Sequence, residues 1–123
     1  MINELIESIF AYFAVDGVSI PVAFLRYDGK STTYITYMQT DADNSLSADD
    51  ELEAYVDYYD FDIYSKGNYL PIVEAVKSLL KDNGFIWQPS RSSGDLYEDD
   101  TGYYHKTLSF AIERSNTRWQ KSV

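Results

Sequence analysis

Apolar residues recur at intervals of three and four in two stretches of the chain, one at its start and one beyond its middle. This spacing places apolar side chains on one face of an α-helix. It predicts helices over residues 2–13 and 68–84. Asn68 is suited to cap the second helix, Pro71 in its first turn lacks an N–H that helices leave unpaired there, and Gly84 ends it. The predicted buried stripes are Ile2, Leu5, Ile6, Ile9, Phe10 and Phe13 in the first helix and Ile72, Val73, Val76, Leu79 and Leu80 in the second.

Alternation of apolar and polar residues predicts β-strands with one buried face. The clearest strand spans residues 55–64, where Asp60 and Asp62 alternate with Phe61. Because carboxylates crowd one face, only the opposite face is expected to meet the core. A last strand over residues 103–114 follows the same pattern. Its predicted core face carries Tyr104, Leu108, Phe110 and Ile112, and its other face carries Tyr103, His105, Thr107, Ser109 and Glu113.

Shorter strands are predicted over residues 18–27 and 32–38, and a further strand begins at Phe85. The Asp28-Gly29 turn predicts a hairpin between the first two. Pro21 cannot donate to a ladder, so the first strand is expected at an edge or with an irregular start.

Residues 39–55 (QTDADNSLSADDELEAY) are predicted to form a polar loop rich in carboxylates. The elements then run helix, strand, strand, strand, helix, strand, strand. This order predicts a two-layer α+β sandwich with a mainly antiparallel sheet and two helices on one face. We expect one domain over residues 1–115, followed by a C-terminal tail over residues 116–123.

Composition narrows the classes of function. The 123 residues include no cysteine and one histidine, which disfavours disulfides, cysteine-ligated zinc and multi-histidine metal sites. No apolar run approaches the roughly 20 residues that span a membrane, and no signal peptide is apparent. We therefore expect a protein made in the cytoplasm, without membrane partners.

The net charge of −10 is unevenly distributed. Residues 1–64 carry thirteen acidic and two basic side chains, a balance of −11, whereas residues 65–123 carry seven acidic and eight basic ones, a balance of +1. Nucleic-acid-binding proteins usually present a basic surface. Specific binding to nucleic acid is therefore disfavoured.

The side chains that could carry out catalysis do not indicate an enzyme, and none indicates a bound cofactor. His105 would need one of Asp95, Glu98, Asp99 or Asp100 as its partner and Ser109 as a nucleophile. Four residues along one strand separate His105 from Ser109 by roughly 13 Å, so they cannot form a direct dyad. A turn at residues 98–102 that feeds the last strand, with His105 on a solvated or interface face, is the preferred interpretation.

The acidic loop also fails as a calcium motif. If Asp41 began an EF-hand loop, Leu46 and Leu52 would stand where glycine and a bidentate glutamate are required. A weak divalent site among Asp49, Asp50, Glu51 and Glu53 stays open as an alternative.

Tyrosine is abundant, with twelve residues. Tyrosine suits a sheet with one solvated face, because its ring packs while its hydroxyl contacts water. It is also enriched at protein–protein interfaces. Both interpretations remain open from composition alone.

Four segments, in this order and spacing, resemble the tail terminator and tail-completion (head–tail joining) proteins of long-tailed bacteriophages and prophages of Gram-positive bacteria. They are PVAFLRYDGKSTTYITY (21–37), VDYYDFDIYSKGNY (56–69), LLKDNGF (79–85) and DLYEDDTGYYHKTLSF (95–110).

The resemblance implies a virion structural protein with a small α+β fold. Its subunits would form a ring, usually a hexamer, on the head-proximal end of the tail tube. The ring would stop tube polymerisation, with the tube protein and the head connector as partners, and DNA would pass through it. Candidate lumen or interface residues are Asp41, Asp43, Asp49, Asp50, Glu51, Glu53, Tyr58, Asp60, Asp62 and Tyr64.

Two alternatives remain open. One is a head-side completion or minor capsid protein at the same junction. The other belongs to a different class: an acidic DNA mimic that inhibits host nucleases, for which the net charge is the supporting feature.

Overall fold

The structure is a computed structural model that describes residues 2–46 and 52–115, with backbone alone at 44–46, 52–54 and 115. It confirms an α+β fold with a mainly antiparallel sheet. The helices are α1 (Ile2–Ile9) and α2 (Leu70–Asp82), and a short 3₁₀ helix spans Pro89–Arg91. The strands are β1 (Ala14–Val15), β2 (Val18–Ser19), β3 (Val22–Phe24), β4 (Tyr34–Leu46), β5 (Leu52–Ser65), β6 (Ile86–Trp87), β7 (Leu96–Glu98) and β8 (Tyr103–Ser115).

Three long strands form the centre of the main sheet, whose order is β3-β4-β5-β8-β6, with β7 paired to another part of β8. Strands β4, β5 and β8 pair antiparallel, while β1 and β2 form a separate two-stranded pair. The face of β5 that carries Tyr59, Phe61 and Ile63 is buried, as its alternation predicts. Both helices pack on this face, because Ile6 and Phe10 of α1 and the stripe of α2 share one core with it. The core comprises Ile6, Phe10, Phe13, Ile20, Ile35, Tyr37, Tyr59, Phe61, Ile63, Tyr69, Ile72, Val73, Val76, Leu80, Phe85, Leu108, Phe110 and Ile112.

Helix α2 follows most of its predicted punctuation, but its N-cap is Tyr69, whose side chain makes no capping hydrogen bond, and not Asn68. The side chain of Asn68 accepts a hydrogen bond from the Leu70 N–H at 3.2 Å, and Pro71 lies in the first turn. Gly84 follows the helix with a φ of 91°, in the left-handed region that glycine adopts without steric cost. The last two turns before Asn83 bury Val76 and Leu80 completely.

Helix α1 is shorter than predicted, because it ends at Ile9 and not near Phe13. The chain continues in tight turns, in which the Phe13 N–H donates to the Phe10 carbonyl at 3.2 Å. These turns still bring both phenylalanines into the core, where their rings meet edge to face with centroids 5.1 Å apart. The apolar spacing thus identified the buried residues correctly but not the end of the helix.

The predicted hairpin between the strands that flank Asp28-Gly29 is wrong. Strand β3 pairs with β4 in parallel, with Val22 opposite Ile35. The chain reverses first at Leu25, where φ is 66° and the Arg26 N–H donates to the Phe24 carbonyl at 2.7 Å. It reverses again before Tyr34. Two reversals restore the original direction, so the turn does not produce antiparallel neighbours. Strand β3 does lie at the sheet edge, as Pro21 predicts.

The predicted loop over residues 39–55 is also wrong for most of its length. Strand β4 runs to Leu46 and β5 begins at Leu52, so Asp41 and Asp43 lie in a strand. A β-bulge at Thr40 interrupts the register between Gln39 and Asp41. This part of the hairpin is polar on both faces, and it therefore lacks the apolar alternation by which strands are predicted. Strands β1 and β7 were likewise missed, being only two or three residues long, and the single strand predicted over residues 18–27 is two separate strands, β2 and β3.

The edge of β8 is covered along much of its length. Strand β7 pairs with its start, and β6 pairs with Phe110 and Ala111. Between them, the side-chain hydroxyls of Ser93 and Ser92 accept the backbone N–H groups of Thr107 and Ser109, each at 2.9 Å. The turn over residues 99–102 joins β7 to β8 as predicted, and Gly102 there has a φ of 77°.

Candidate interaction surface

The sheet has a second face, turned away from both helices, which we call the outer face. In register across it, Asp62 lies opposite Thr107, Tyr64 opposite His105, and Asp60 opposite Ser109. Strand β4 adds Tyr34, Thr36 and Met38, whose partners on β5 are Tyr64, Asp62 and Asp60. The predicted site residues Tyr58, Asp60, Asp62 and Tyr64 therefore do share one face.

Four stacked rings cross this face perpendicular to the strands, and we call them the aromatic row. The Tyr27 and Tyr34 centroids are 4.7 Å apart, those of Tyr34 and Tyr64 are 4.9 Å apart, and those of Tyr64 and His105 are 4.3 Å apart. Tyr103 meets the row edge-on. Desolvation, and then the negative charge of Asp62, raise the pKa of Tyr64 to about 12. Its hydroxyl is therefore protonated at neutral pH.

His105 contacts a different carboxylate from the four considered in the sequence. Its Nε2 atom lies 3.1 Å from Oδ1 of Asp62, and the Thr107 hydroxyl donates to the same oxygen at 2.5 Å. The Thr107 hydroxyl also lies 3.5 Å from His105 Nε2. A nucleophilic triad needs the hydroxyl on one imidazole nitrogen and the carboxylate on the other. Here one nitrogen faces both groups, so the arrangement is a hydrogen-bonded link between β5 and β8.

On the outer face, Asp60 and Ser109 are the polar side chains whose hydrogen bonding is least complete. Burial raises the pKa of Asp60, while the nearby Ser109 hydroxyl opposes that shift. Ser109 is fully buried, yet within the described residues its hydroxyl has no partner within hydrogen-bond distance and angle. The site therefore contains a carboxylate that burial makes harder to ionise.

Arg91, which no sequence pattern marks as a site residue, contacts two of the predicted residues. Its guanidinium lies 3.9 Å from the centroid of the Tyr58 ring and 3.5 Å from Oδ2 of Asp41. Arg91 belongs to the 3₁₀ helix, which packs near the outer face only because its neighbours bond to the edge of β8. That long-range placement leaves no local pattern in the sequence.

The remaining predicted residues are not brought together by the described structure. Asp43 is exposed on β4. Asp49, Asp50 and Glu51 lie outside the described residues, and the Glu53 side chain is also outside the description. In residues 2–46 and 52–115, no group of three or more His, Asp or Glu side chains is placed to hold a metal ion. No helix in those ranges has the length and apolar character to cross a membrane.

An ion pair with a buried carboxylate lies on the other face, the one that carries Tyr59 and Phe61. Asp57 is 3% exposed and accepts from Arg114 Nε at 2.8 Å and from Nη2 at 3.3 Å. The guanidinium also lies 4.6 Å from the centroid of the Tyr55 ring. Hydrogen bonding to Asp57 raises the pKa of Arg114 further above its ordinary value.

Large apolar side chains are exposed at both lateral edges of the sheet. At the β3 edge, Phe24 is 47% and Leu25 is 57% exposed. At the opposite edge, Ile86 is 63%, Leu96 is 48% and Tyr97 is 54% exposed. The alternation in the sequence marks these residues as apolar but does not show that neighbouring elements leave them uncovered.

Comparison with known proteins found no match from which a function could be inferred. No protein-family model matches the chain, and no curated protein does so either. The grounds for its function are therefore its own residues and their geometry.

Proposed function

We propose that this protein is a tail terminator of a long-tailed phage or prophage. Copies of the chain join into a ring on the head-proximal end of the tail tube, stop the tube from growing, and present a surface to the head connector. The observation that carries this proposal is the exposure of large apolar side chains at two opposite edges of one sheet.

A closed ring needs two different patches on each subunit, because each subunit contacts its neighbours head to tail. The edge at Phe24 and Leu25 and the edge at Leu96 and Tyr97 meet that requirement. The three central strands separate them, and strands in a sheet are about 4.8 Å apart, so β3 and β8 are separated by roughly 14 Å. The two patches are therefore too far apart to cover each other within one chain.

The outer face adds a broad surface rich in tyrosine between these edges. Tyrosine rings supply contact area while their hydroxyls stay hydrated, as at many protein–protein interfaces. In the proposed ring, the acidic strands around Asp43 face the lumen, where negative charge repels the DNA backbone as it passes.

Neutralising Asp41, Asp43, Asp49 and Asp50 should slow DNA ejection, and unchanged ejection would refute the lumen assignment.

The pairing of the carboxylates argues against the alternative of a DNA mimic. A mimic needs an array of unpaired acidic groups, but five aspartates contact cationic or imidazole side chains. The pairs are Asp28 with Arg26, Asp41 with Arg91, Asp57 with Arg114, Asp62 with His105, and Asp95 with Lys106.

The decisive experiment is electron microscopy of particles made when the gene is deleted from its parent phage or prophage. We expect tails of variable, excessive length beside DNA-filled heads, because uncapped tubes keep growing. Tails of normal length that fail to attach to heads would place the protein on the head side of the junction. Normal infectious particles would refute a structural role, and binding to a purified restriction nuclease would then support the inhibitor.

A further inference from the structure

Asn83, at the end of α2, is the only one of the five asparagines that precedes a glycine. An asparagine side chain can lose ammonia when the backbone nitrogen of the next residue attacks its Cγ atom. Glycine in that next position favours the attack, because it has no Cβ atom to block the approach. Both Asn83 and Gly84 are exposed, so water can reach them. Larger residues follow the other four asparagines, Asn3, Asn44, Asn68 and Asn116.

The folded end of α2 holds the two reacting groups apart. Nδ2 of Asn83 donates to the Leu79 carbonyl at 2.9 Å, so the side-chain amide points back along the helix and away from Gly84. The Gly84 N–H, whose nitrogen is the nucleophile, donates to the Lys81 carbonyl at 3.2 Å. Attack requires the side chain to turn towards Gly84 and the backbone nitrogen to lose its proton, so both hydrogen bonds must break. We therefore expect the folded turn to suppress the reaction.

The same turn anchors part of the core. The Phe85 N–H donates to the Leu80 carbonyl at 3.0 Å, and together with the bond from Gly84 this forms the Schellman motif that ends many helices. Phe85 and Leu80 are both buried core residues. Strand β6 begins directly afterwards, at Ile86. The turn can therefore open only when part of the core opens with it, which makes opening rare.

The reaction needs no reagent other than water. The Gly84 nitrogen forms a bond to Cγ of Asn83, ammonia leaves, and a cyclic imide remains. Water then adds to one of the two imide carbonyls and reopens the ring to aspartate or isoaspartate. One water is consumed and one ammonia is released, so a neutral amide becomes a carboxylate. The loss of ammonia makes the change one-way.

Either product fits the turn less well than asparagine does. A carboxylate at position 83 cannot donate to the Leu79 carbonyl, and it adds negative charge at the negative end of the helix dipole, next to Asp82. Isoaspartate also lengthens the backbone by a methylene before Gly84, which displaces the donors of the Schellman motif. We propose that Asn83 is a site of spontaneous deamidation that the folded turn suppresses, and that its product is a one-way switch that loosens the joint between α2 and β6.

The suppression is tested on the full chain without substitutions, in mildly alkaline buffer, with and without enough urea to unfold it. Peptide mass spectrometry follows the formation of aspartate and isoaspartate at position 83. We expect formation to be faster in urea by on the order of tenfold or more, because the native turn must first open. Asn68, which precedes Tyr69, is the control and should react slowly in both conditions. Equal rates at position 83 with and without urea, or no reaction there in urea, would refute the proposal.

The switch is tested with Asn83→Asp and amide hydrogen exchange. The N–H groups of Phe85 and Gln88, which lie on either side of β6, should exchange faster than in the native protein by on the order of tenfold. The N–H of Ser93, which bonds farther along β8, should not change. Asn68→Asp is the matched control, because it adds the same charge at the end of α2 where the dipole favours it. Unchanged exchange at Phe85 in Asn83→Asp, or equal acceleration in Asn68→Asp, would overturn the switch.

Discussion

Thr107 and Ser109 are neighbours on the outer face of β8, but their hydroxyl groups have different environments. The Thr107 hydroxyl donates to Asp62, whereas that of the fully buried Ser109 makes no hydrogen bond with a described residue. Replacing Thr107 by valine should therefore cost about 1–2 kcal/mol of unfolding free energy, since a hydrogen bond to a charged group is lost. Ser109→Ala should change it by less than about 0.5 kcal/mol or stabilise the protein. Urea denaturation measures both, and equal losses would show that Ser109 has a partner.

Asp60 should make stability depend on pH. Burial raises its pKa above the ordinary value of 3.8, so the carboxyl ionises less readily in the folded chain than in the unfolded one. Its stabilising contribution is fully present below pH 3.8 and is lost as pH rises through the folded-state value. Asp60→Asn should therefore be more stable than the native protein at pH 7 and lose that advantage towards pH 3.

Asp62→Asn provides the comparison for Asp60→Asn, measured by urea denaturation across the same pH range. Asp62 accepts from Thr107 and contacts His105, so this variant should be less stable than the native protein at pH 7. A destabilised Asp60→Asn protein at pH 7 would contradict the expected effect of burial.

At the scale of elements, the Asp57–Arg114 pair joins β5 to β8. Arg114→Leu leaves a carboxylate that is 3% exposed without its cation. We expect a loss of about 2–3 kcal/mol, below the 3–5 kcal/mol for fully buried pairs because the Arg114 side chain is 40% exposed. The double variant Asp57→Leu/Arg114→Leu should recover most of it. A double-mutant cycle in urea measures the coupling, and additive losses would show that the pair contributes nothing.

Elements that local sequence patterns determine were predicted, and elements that depend on tertiary contacts were not. Helix α2 and the face of β5 were predicted well, because their burial repeats at the period of the element. On β8, Leu108, Phe110 and Ile112 are buried as predicted, but Tyr104 is 38% exposed and the prediction that it lies in the core was wrong. The parallel pairing of β3 was not predicted. It depends on the reversal at Leu25, which has a positive φ although it is not a glycine. Of the site, Tyr58, Asp60, Asp62 and Tyr64 followed from alternation. The role of Arg91 did not, because its contacts join segments that are distant in the sequence.

At the scale of the whole molecule, the two apolar edges allow the ring to be tested without unfolding the subunit. Leu96 is 48% exposed, so Leu96→Asp should change the unfolding free energy by less than about 0.5 kcal/mol. It should nevertheless fail to restore normal tail length in the deletion strain, because a charge would enter the contact between neighbouring copies. Tyr12→Asp, at a tyrosine that is 96% exposed away from the sheet edges, should restore it. Full restoration by Leu96→Asp would exclude this edge from the interface.

The two serines that cover β8 have a consequence for aggregation. Unpaired strand edges invite chains to add to one another and grow into fibrils. From Tyr103 to Ala111, the β8 edge is shielded by β7, then by Ser93 and Ser92, and then by β6. Two serine hydroxyls, with the backbone N–H groups of Gln88 and Ser93, thus take the place of a strand between β7 and β6 and keep this stretch of β8 from pairing with another chain. We expect this stretch of β8 to stay unpaired with other copies even when the chains are crowded together at high concentration.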